Sequence, residues 1–342
     1  MEKTMKEAVK TIKTKEQAVH IIYASNDGYA GHLAASLCSL LDNNRHIKNL
    51  DIYVLSAQMC EAFQNRLKTL AAGYGRQLYA VELGDLKERF PYKIDTRGFD
   101  ISAMGRLFAP EVLPETVTKA LYLDCDTIVC SSIEKMYETP LGDCLAGMIM
   151  EPTVYKEMDK DDAYFNSGVI LMDLAGWRRE NVLKKLLDFY GDHAGSLFAC
   201  DQDTINGALN GRILPLSPRY NFFTNYRYFR YNTLVQLCDA YRAVGKKEFA
   251  AAKRRPTIIH FLGDERPWIG GNHNYYGKWY RKYLAMTPWK DMPMQKGKFW
   301  YMQLWWCFNQ MTRVCPALRL AISKRLGMKV IDNRKKHQGK KK

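Results

Sequence analysis

The chain has 342 residues, is 47% hydrophobic and carries a formal charge of +15. That length supplies core for one large domain or two small ones, and no stretch reaches the ~18–20 uninterrupted apolar residues of a membrane-spanning helix. The nine cysteines are scattered, odd in number and without a CxxC pair, which argues against structural zinc and a disulfide framework and for free thiols in a reducing cytoplasm.

In chain order, residues 1–17 ("MEKTMKEAVKTIKTKEQ") mix Lys and Glu without an apolar stretch and read as a polar leader, not a secretory signal. "AVHIIYASND" reads as a strand that stops at Asn26 and Asp27. "YAGHLAASLCSLLDNN" follows as a helix with Leu33, Leu37, Leu40 and Leu41 on one stripe. "LDIYVLS" is a second strand, "QMCEAFQNRLKTLAAGYG" a second helix closed by Gly73 or Gly75, and "RQLYAVEL" a third strand. This alternation predicts an α/β fold with a mostly parallel sheet and helices on its faces. "SAMGRLFAPEVLP" is expected as a helix ending near Pro114, and "ALYLDCDTIV" as one strand. "CLAGMIM" and "FNSGVILMDL" are further strands, "GWRRENVLKKLLDFYGDH" an amphipathic helix, "DQDTINGALNG" a short helix with carboxylates at its start, and "PTIIHFLG" a late strand. The globular body is expected over 18–285 and a tail over 286–342.

The charge sits in that tail. Residues 286–342 hold fourteen Lys and Arg against Asp291 and Asp332, so twelve of the fifteen net positive charges are there. A nucleic-acid-binding fold would carry a basic face on its body, whereas the chain outside the tail carries a net charge of only +3.

The chemistry concentrates at "KALYLDCDTIVC". Alternation along a strand puts Asp124 and Asp126 on one face and Cys125 on the other. Two carboxylates held together repel unless a cation lies between them, and hard oxygen ligands suit Mg²⁺ or Mn²⁺. Ligands of open α/β sheets bind beyond the carboxyl ends of the strands. "ASNDGY", "DCD" and "HFLGDERPW" all fall there. The first has neither GxGxxG nor GxxxxGK[ST], so a dinucleotide or P-loop grip is not expected.

Seven motifs in order resemble the family 8 retaining glycosyltransferases, typified by bacterial lipopolysaccharide galactosyl- and glucosyltransferases. They are "YASNDGYAGHLAASLCSL", "GRLFAPEVLP", "KALYLDCDTIV", "YFNSGVILMDLAGWR", "DQDTINGAL", "RYNFFTNY" and "HFLGDERPW", over about Val19 to Trp289. The resemblance implies a GT-A fold, a UDP-sugar donor and Mn²⁺ (or Mg²⁺) held by Asp124, Asp126 and His260. It places Ala24, Asn26 and Tyr29 at the uracil, and Arg106 at the donor sugar and phosphate. Cys125 is placed among the donor-binding residues, and Gly263 and Arg266 in a loop closing over the diphosphate. Asn166, Ser167, Asp201 and Gln202 would line the sugar pocket, with Gln202 beneath C1. Three positions depart from the family pattern: Asn26 stands where Asp is usual, Gly28 where a polar residue is common, and Arg266 where Lys is usual.

The acceptor implied is an oligosaccharide or lipid-linked glycan. "FWYMQLWWCFNQM" with its flanking cations suggests attachment to an anionic membrane surface, on the cytoplasmic leaflet, without spanning it. Beyond Pro316 a second amphipathic segment is expected, with Leu318, Ile322 and Leu326 on one face and Arg319 and Lys324 elsewhere. The alternative is that these aromatics pack on the body. The competing functions are a sugar nucleotidyltransferase, which would want a Gly- and Lys/Arg-rich loop after the first strand, and a non-catalytic carbohydrate- or membrane-binding scaffold.

Overall fold

The computed structural model describes residues 18–154 and 163–322. The polar leader, Lys324, Leu326 and the terminal lysine run lie outside the described residues. The strands are β1 (Val19–Ser25), β2 (Leu50–Ser56), β3 (Gln77–Glu82), β4 (Lys119–Leu123), β5 (Thr127–Val129), β6 (Ala146–Met150), β7 (Phe165–Asp173), β8 (Ile213–Pro215), β9 (Phe222–Phe223) and β10 (Ile258–His260). A seven-stranded sheet has the order β3-β2-β1-β4-β7-β6-β8, and a three-stranded sheet the order β5-β10-β9. β3, β2, β1 and β4 pair in parallel. β7 runs antiparallel to both β4 and β6, and β8 is parallel to β6. The expected mostly parallel sheet with flanking helices is what forms.

The central strands are apolar on both faces because both faces are covered; Ile21, Ile22 and Tyr23 of β1 and Ala120 and Leu121 of β4 have no exposed surface. Helix α1 (Ala30–Asn43) is buried from Ala30 to Leu41, all round and not along one stripe. Its Leu33, Leu37 and Leu40 are wholly buried, each worth about 1.5–3 kcal/mol. Its small residues admit close neighbours: a Cβ on Gly31 would sit 2.6 Å from Met292 Sδ. Its polar groups are paired, Ser36 Oγ with Thr127 Oγ1 (3.0 Å) and Ser39 Oγ accepting from Val129 N (2.9 Å). Helix α2 (Glu61–Gly73) closes with Gly75 at φ +68°, the left-handed position glycine favours.

Three expected elements divide. The helix expected over 102–114 is a 3₁₀ helix, Ile101–Phe108, followed by one α-turn, Ala109–Val112. Asp100 caps the first by accepting from Ser102 N at 2.9 Å, and Pro110 lies in the first turn of the second, where its missing N–H costs nothing. The helix expected over 176–193 becomes Leu174–Arg179 and Val182–Asp192, broken at Asn181 with φ +50°. The strand expected over 120–129 leaves the large sheet at Asp124 and enters the small one at Thr127. Asp124 and Asp126 therefore lie on a turn between two sheets, not on a pleated strand.

The tail packs on the body. Helix α3 (Phe299–Val314) buries Met302, Asn309 and Thr312, and helix α4 (Pro316–Ile322) follows. The polarity expected for α4 is inverted: Arg319 is buried, whereas Leu318 is exposed. The Arg319 guanidinium stacks over Tyr228, Phe229 and Phe308 and donates from Nη2 to Asn309 Oδ1 at 2.6 Å. Facing outward are Phe299, Trp300, Leu304, Met311 and Val314. No helix among the described residues is long and apolar enough to cross a membrane.

Candidate functional site

The turn after β4 brings its two carboxylates to His260, the last residue of β10. One ligand atom each from Asp124, Asp126 and His260 lies within 4.8 Å of the others. His260 Nε2 is 3.1 Å from Asp126 Oδ1 and 3.8 Å from Asp124 Oδ2. The turn is anchored by Asp124 N donating to Gly168 O (2.8 Å) and by Thr127 Oγ1 donating to Asp124 O (2.7 Å). Cys125 points away and its thiol donates to Ala24 O at 3.3 Å; burial pushes its pKa far up, so it is an inert thiol under β1. Burial alone would raise Asp126, yet His260 and Arg266 hold it at about 2. Burial alone would lower His260, yet Asp126 and Asp124 hold it above the ordinary imidazole value. This is a cluster built to hold positive charge. Two carboxylate oxygens and one imidazole nitrogen fit a divalent ion of the Mn²⁺ class better than an all-oxygen Mg²⁺ site.

Gly168 of β7 is what lets this cluster close. A Cβ there would lie 2.2 Å from His260 Cε1 and 2.7 Å from Asp124 Oδ2. His260 Nδ1 is 2.9 Å from Asn221 Oδ1.

Beside the cluster lies a buried pocket of amides and carboxylates. Asn221 Nδ2 donates to Asn166 Oδ1 (2.8 Å). Asn166 Nδ2 donates to Gln202 Oε1 and to Glu151 Oε2, both at 2.9 Å. Gln202 Oε1 also accepts from Ser167 N (3.1 Å), while its Nε2 donates to Glu151 Oε2 (3.0 Å). Asp201 Oδ2 accepts from Ser167 Oγ at 2.8 Å and lies 3.2 Å from Arg106 Nε. Arg106 is buried and ties this pocket to the turn, since its Nη2 donates to Asp124 Oδ1 at 2.8 Å. Tyr122 OH donates to that same oxygen at 2.8 Å, and its ring lies 4.3 Å under the guanidinium. Burial raises Asp201, opposed mainly by Arg106, and raises Glu151, opposed by its two amide donors. Asp201 and Gln202 begin the helix Asp201–Ala208, directly after Cys200, whose φ of +46° is strained for a side-chain-bearing residue.

The rim is formed by the loop after β1 and the loop after β10. Asn26 Nδ2 donates to the Asp100 carboxylate, 2.8 and 2.9 Å from its two oxygens, while its own buried Oδ1 has no partner among the described residues. Tyr29 is half-buried nearby, and Ala24 lies buried one residue before the end of β1. Gly263 takes φ +61° at the start of the second loop. Arg266 points its Nη2 at Asp126 Oδ2 (3.5 Å), and its buried Nε has no hydrogen-bond partner among the described residues. Trp177 and Trp268 are buried packing residues, the latter stacked on His32 at 4.0 Å between ring centroids.

Sequence reasoning missed Glu151, Asn221, Gly168 and Asp100. Glu151 carried a usable signal: a carboxylate directly after the wholly apolar strand "LAGMIM". Asn221 lay inside a motif that had been recognised as a whole.

This architecture matches the galactosyltransferase LgtC, solved in complex with donor and acceptor sugar analogs, with a TM-score of 0.66 at 22% identity over 79% of this chain and 96% of that one. It is a GT-A glycosyltransferase fold. The chain belongs to Glycosyl transferase family 8, which matches residues 20–270, and it is a transferase of sugars. It is 27% identical to lipopolysaccharide 1,2-glucosyltransferase of Escherichia coli K12, covering 82% of this chain and 81% of that one. It is 26% identical to general stress protein A of Bacillus subtilis strain 168, covering 81% and 97%.

Proposed function

We propose that the protein is a metal-dependent retaining hexosyltransferase. It would move galactose or glucose from a UDP-sugar to a cell-surface glycan or a lipid-linked acceptor. The observation that carries this reading is the convergence of Asp124, Asp126 and His260 beside the pocket of Asn166, Ser167, Asp201 and Gln202. The names of the two transferases it resembles favour a hexose donor.

In this reading the unpartnered Asn26 Oδ1 accepts the uracil N–H, and Tyr29 stacks on the base beside Ala24. Asp124, Asp126 and His260 would hold Mn²⁺, or less well Mg²⁺, which when bound offsets the charge of the departing diphosphate. Arg266, with an idle buried donor, and Gly263, with its exposed backbone, cover that diphosphate. Arg106 acts by holding Asp124 and Asp201 in fixed relation. Asp201 receives donor hydroxyls, and Gln202 lies under C1.

An amide is a poor nucleophile, and Asp201 Oδ2 is already engaged by Arg106 and Ser167. Transfer therefore proceeds on one face. The C1–O bond to the phosphate breaks, the acceptor oxygen bonds C1 from the same side, and the departing phosphate oxygen takes the acceptor's proton. A sugar trapped covalently on Asp201, Gln202 or Glu151 would overturn this.

The outward face of α3, with Phe299, Trp300, Leu304 and Met311 near Lys296, Lys298 and Arg313, suits an anionic lipid surface of the inner leaflet, where a lipid-linked acceptor would lie. Co-sedimentation with anionic vesicles at low salt, lost in Trp300→Ser/Leu304→Ser, tests that part. The donor part is tested by UDP release from UDP-galactose and UDP-glucose, with Mn²⁺ or chelator, for wild type and Asp126→Asn. Metal-dependent release lost in the variant is the expected result; release that persists in chelator refutes it.

A further inference from the structure

The loop that carries Arg266 is held from behind by the tail. Its neighbour Glu265 is only 3% exposed. Glu265 Oε1 accepts from Trp305 Nε1 (2.7 Å) and Asn309 Nδ2 (2.9 Å), both on α3, and Oε2 accepts from Asn274 Nδ2 (3.2 Å). One residue earlier, Asp264 Oδ2 accepts from Tyr301 OH of α3 at 3.0 Å. Behind the loop, Gly270 N donates to Gln295 O (2.9 Å) and Gln295 N to Trp268 O (2.8 Å). Gln303 Nε2 donates to Gly271 O at 3.1 Å. Gly271 has φ +82°, and a Cβ there would fall 2.8 Å from Phe299 Cδ2, so helix and loop meet backbone to side chain.

A buried carboxylate is costly unless its hydrogen-bond sites are filled. Glu265 can stay where it is only while α3 supplies the indole and amide donors. Arg266 is the next residue, and its guanidinium reaches Asp126 on the opposite side of the loop. We infer that α3 positions Arg266 through Glu265, Trp305 and Asn309, and thereby sets the protein's affinity for a nucleoside diphosphate. The tail is then a working part of the donor site as well as a surface element. Glu265, Trp305 and Asn309 are positioning residues, and the inference rests on the reading that Arg266 contacts the donor's diphosphate.

The test is titration of full-length protein with UDP, and separately with uridine, in excess Mn²⁺. The variants are Trp305→Phe, Tyr301→Phe, Arg266→Ala and Trp305→Phe/Arg266→Ala. Trp305→Phe keeps the ring and removes one donor to a buried carboxylate, and is expected to raise the UDP dissociation constant about tenfold. Tyr301→Phe, at a less buried contact, is expected to raise it about threefold. Uridine, which has no phosphate to reach Arg266, is expected to bind all folded variants like wild type. In the Arg266→Ala background the Trp305→Phe effect is expected to vanish.

Equal weakening of uridine and UDP would reduce α3 to a structural support and overturn the inference. So would UDP affinity within twofold of wild type for both Trp305→Phe and Tyr301→Phe, while Arg266→Ala weakens it and leaves the donor reading standing. If wild type binds no UDP, the donor reading fails and this inference with it.

Discussion

Replacing Gly168 by alanine adds one methyl group at the point where three parts of the site meet. Gly168 is in the interior of β7, where its carbonyl accepts from Asp124 N (2.8 Å) and its N–H donates to Asn166 Oδ1 (2.9 Å), so its backbone is held. The new Cβ would lie 2.2 Å from His260 Cε1, 2.7 Å from Asp124 Oδ2 and 2.8 Å from His260 Nδ1. Carbon atoms settle at about 3.5–4.0 Å, so the imidazole must withdraw by more than ~1 Å. It is fully enclosed, and withdrawal breaks its 2.9 Å bond to Asn221 Oδ1. Metal–ligand distances tolerate only about ±0.2 Å. Mn²⁺ affinity is therefore expected to fall ~100-fold or more, the upper end of what disturbing a ligand's support does. Overpacking is expected to cost about 1–3 kcal/mol of stability. Calorimetric titration with Mn²⁺, alongside a thermal melt, measures both. A folded Gly168→Ala protein that binds Mn²⁺ within threefold of wild type would show that His260 and Asp124 do not share an ion.

Three further outcomes are expected. Glu151→Ala leaves one N–H of Asn166 and one of Gln202 without their acceptor, at about 1–3 kcal/mol each; steady-state kinetics should show kcat down at least ~10-fold with UDP binding unchanged, and an equal loss of UDP affinity would refute the assignment. His32 is held by burial at a pKa of about 4, so the folded state refuses a proton that the unfolded chain accepts near 6.5. That contribution is present above ~6.5 and is lost as pH falls toward 4, by about 3 kcal/mol. Urea unfolding at pH 7 and pH 4.5 should show a steeper loss for wild type than for His32→Phe, and parallel losses would refute it. Arg319→Met removes the donor to Asn309 and the stack on Phe229, so hydrogen exchange should accelerate in α3 and α4 while the β1–β4 core stays protected; uniform protection would refute it.

What was legible in the sequence was whatever depends on local pattern. β1, α1, β2, α2 and β3 follow from unbroken apolar periodicity, and the polar clusters at the strand ends marked where the candidate site forms. Asp124, Asp126 and His260 were each visible there, but their meeting depends on the chain leaving the large sheet after β4 so that β5 pairs with β10, which no local signal announces. The helix break at Asn181 was missed because a left-handed Asn looks like any other helix residue in a periodicity count. Helical periodicity put Arg319 off the face of Leu318 and Ile322; only the tertiary stack on Tyr228 and Phe229 explains its burial. Glu265 was read merely as part of "HFLGDERPW", since its donors lie forty residues downstream on α3.

The pocket also has a direction. Glu151, while ionised, can only accept, so it forces the amide hydrogens of both Asn166 and Gln202 toward itself. Asn166 must then offer its oxygen to Asn221, and Asn221 must in turn offer its oxygen to the imidazole. An acceptor at that point obliges Nδ1 of His260 to carry its proton and frees Nε2 for the two aspartates. The choice of imidazole tautomer at the candidate ion site is thus dictated from the far end of the amide pocket, through two uncharged amides, by a carboxylate that touches neither aspartate nor histidine.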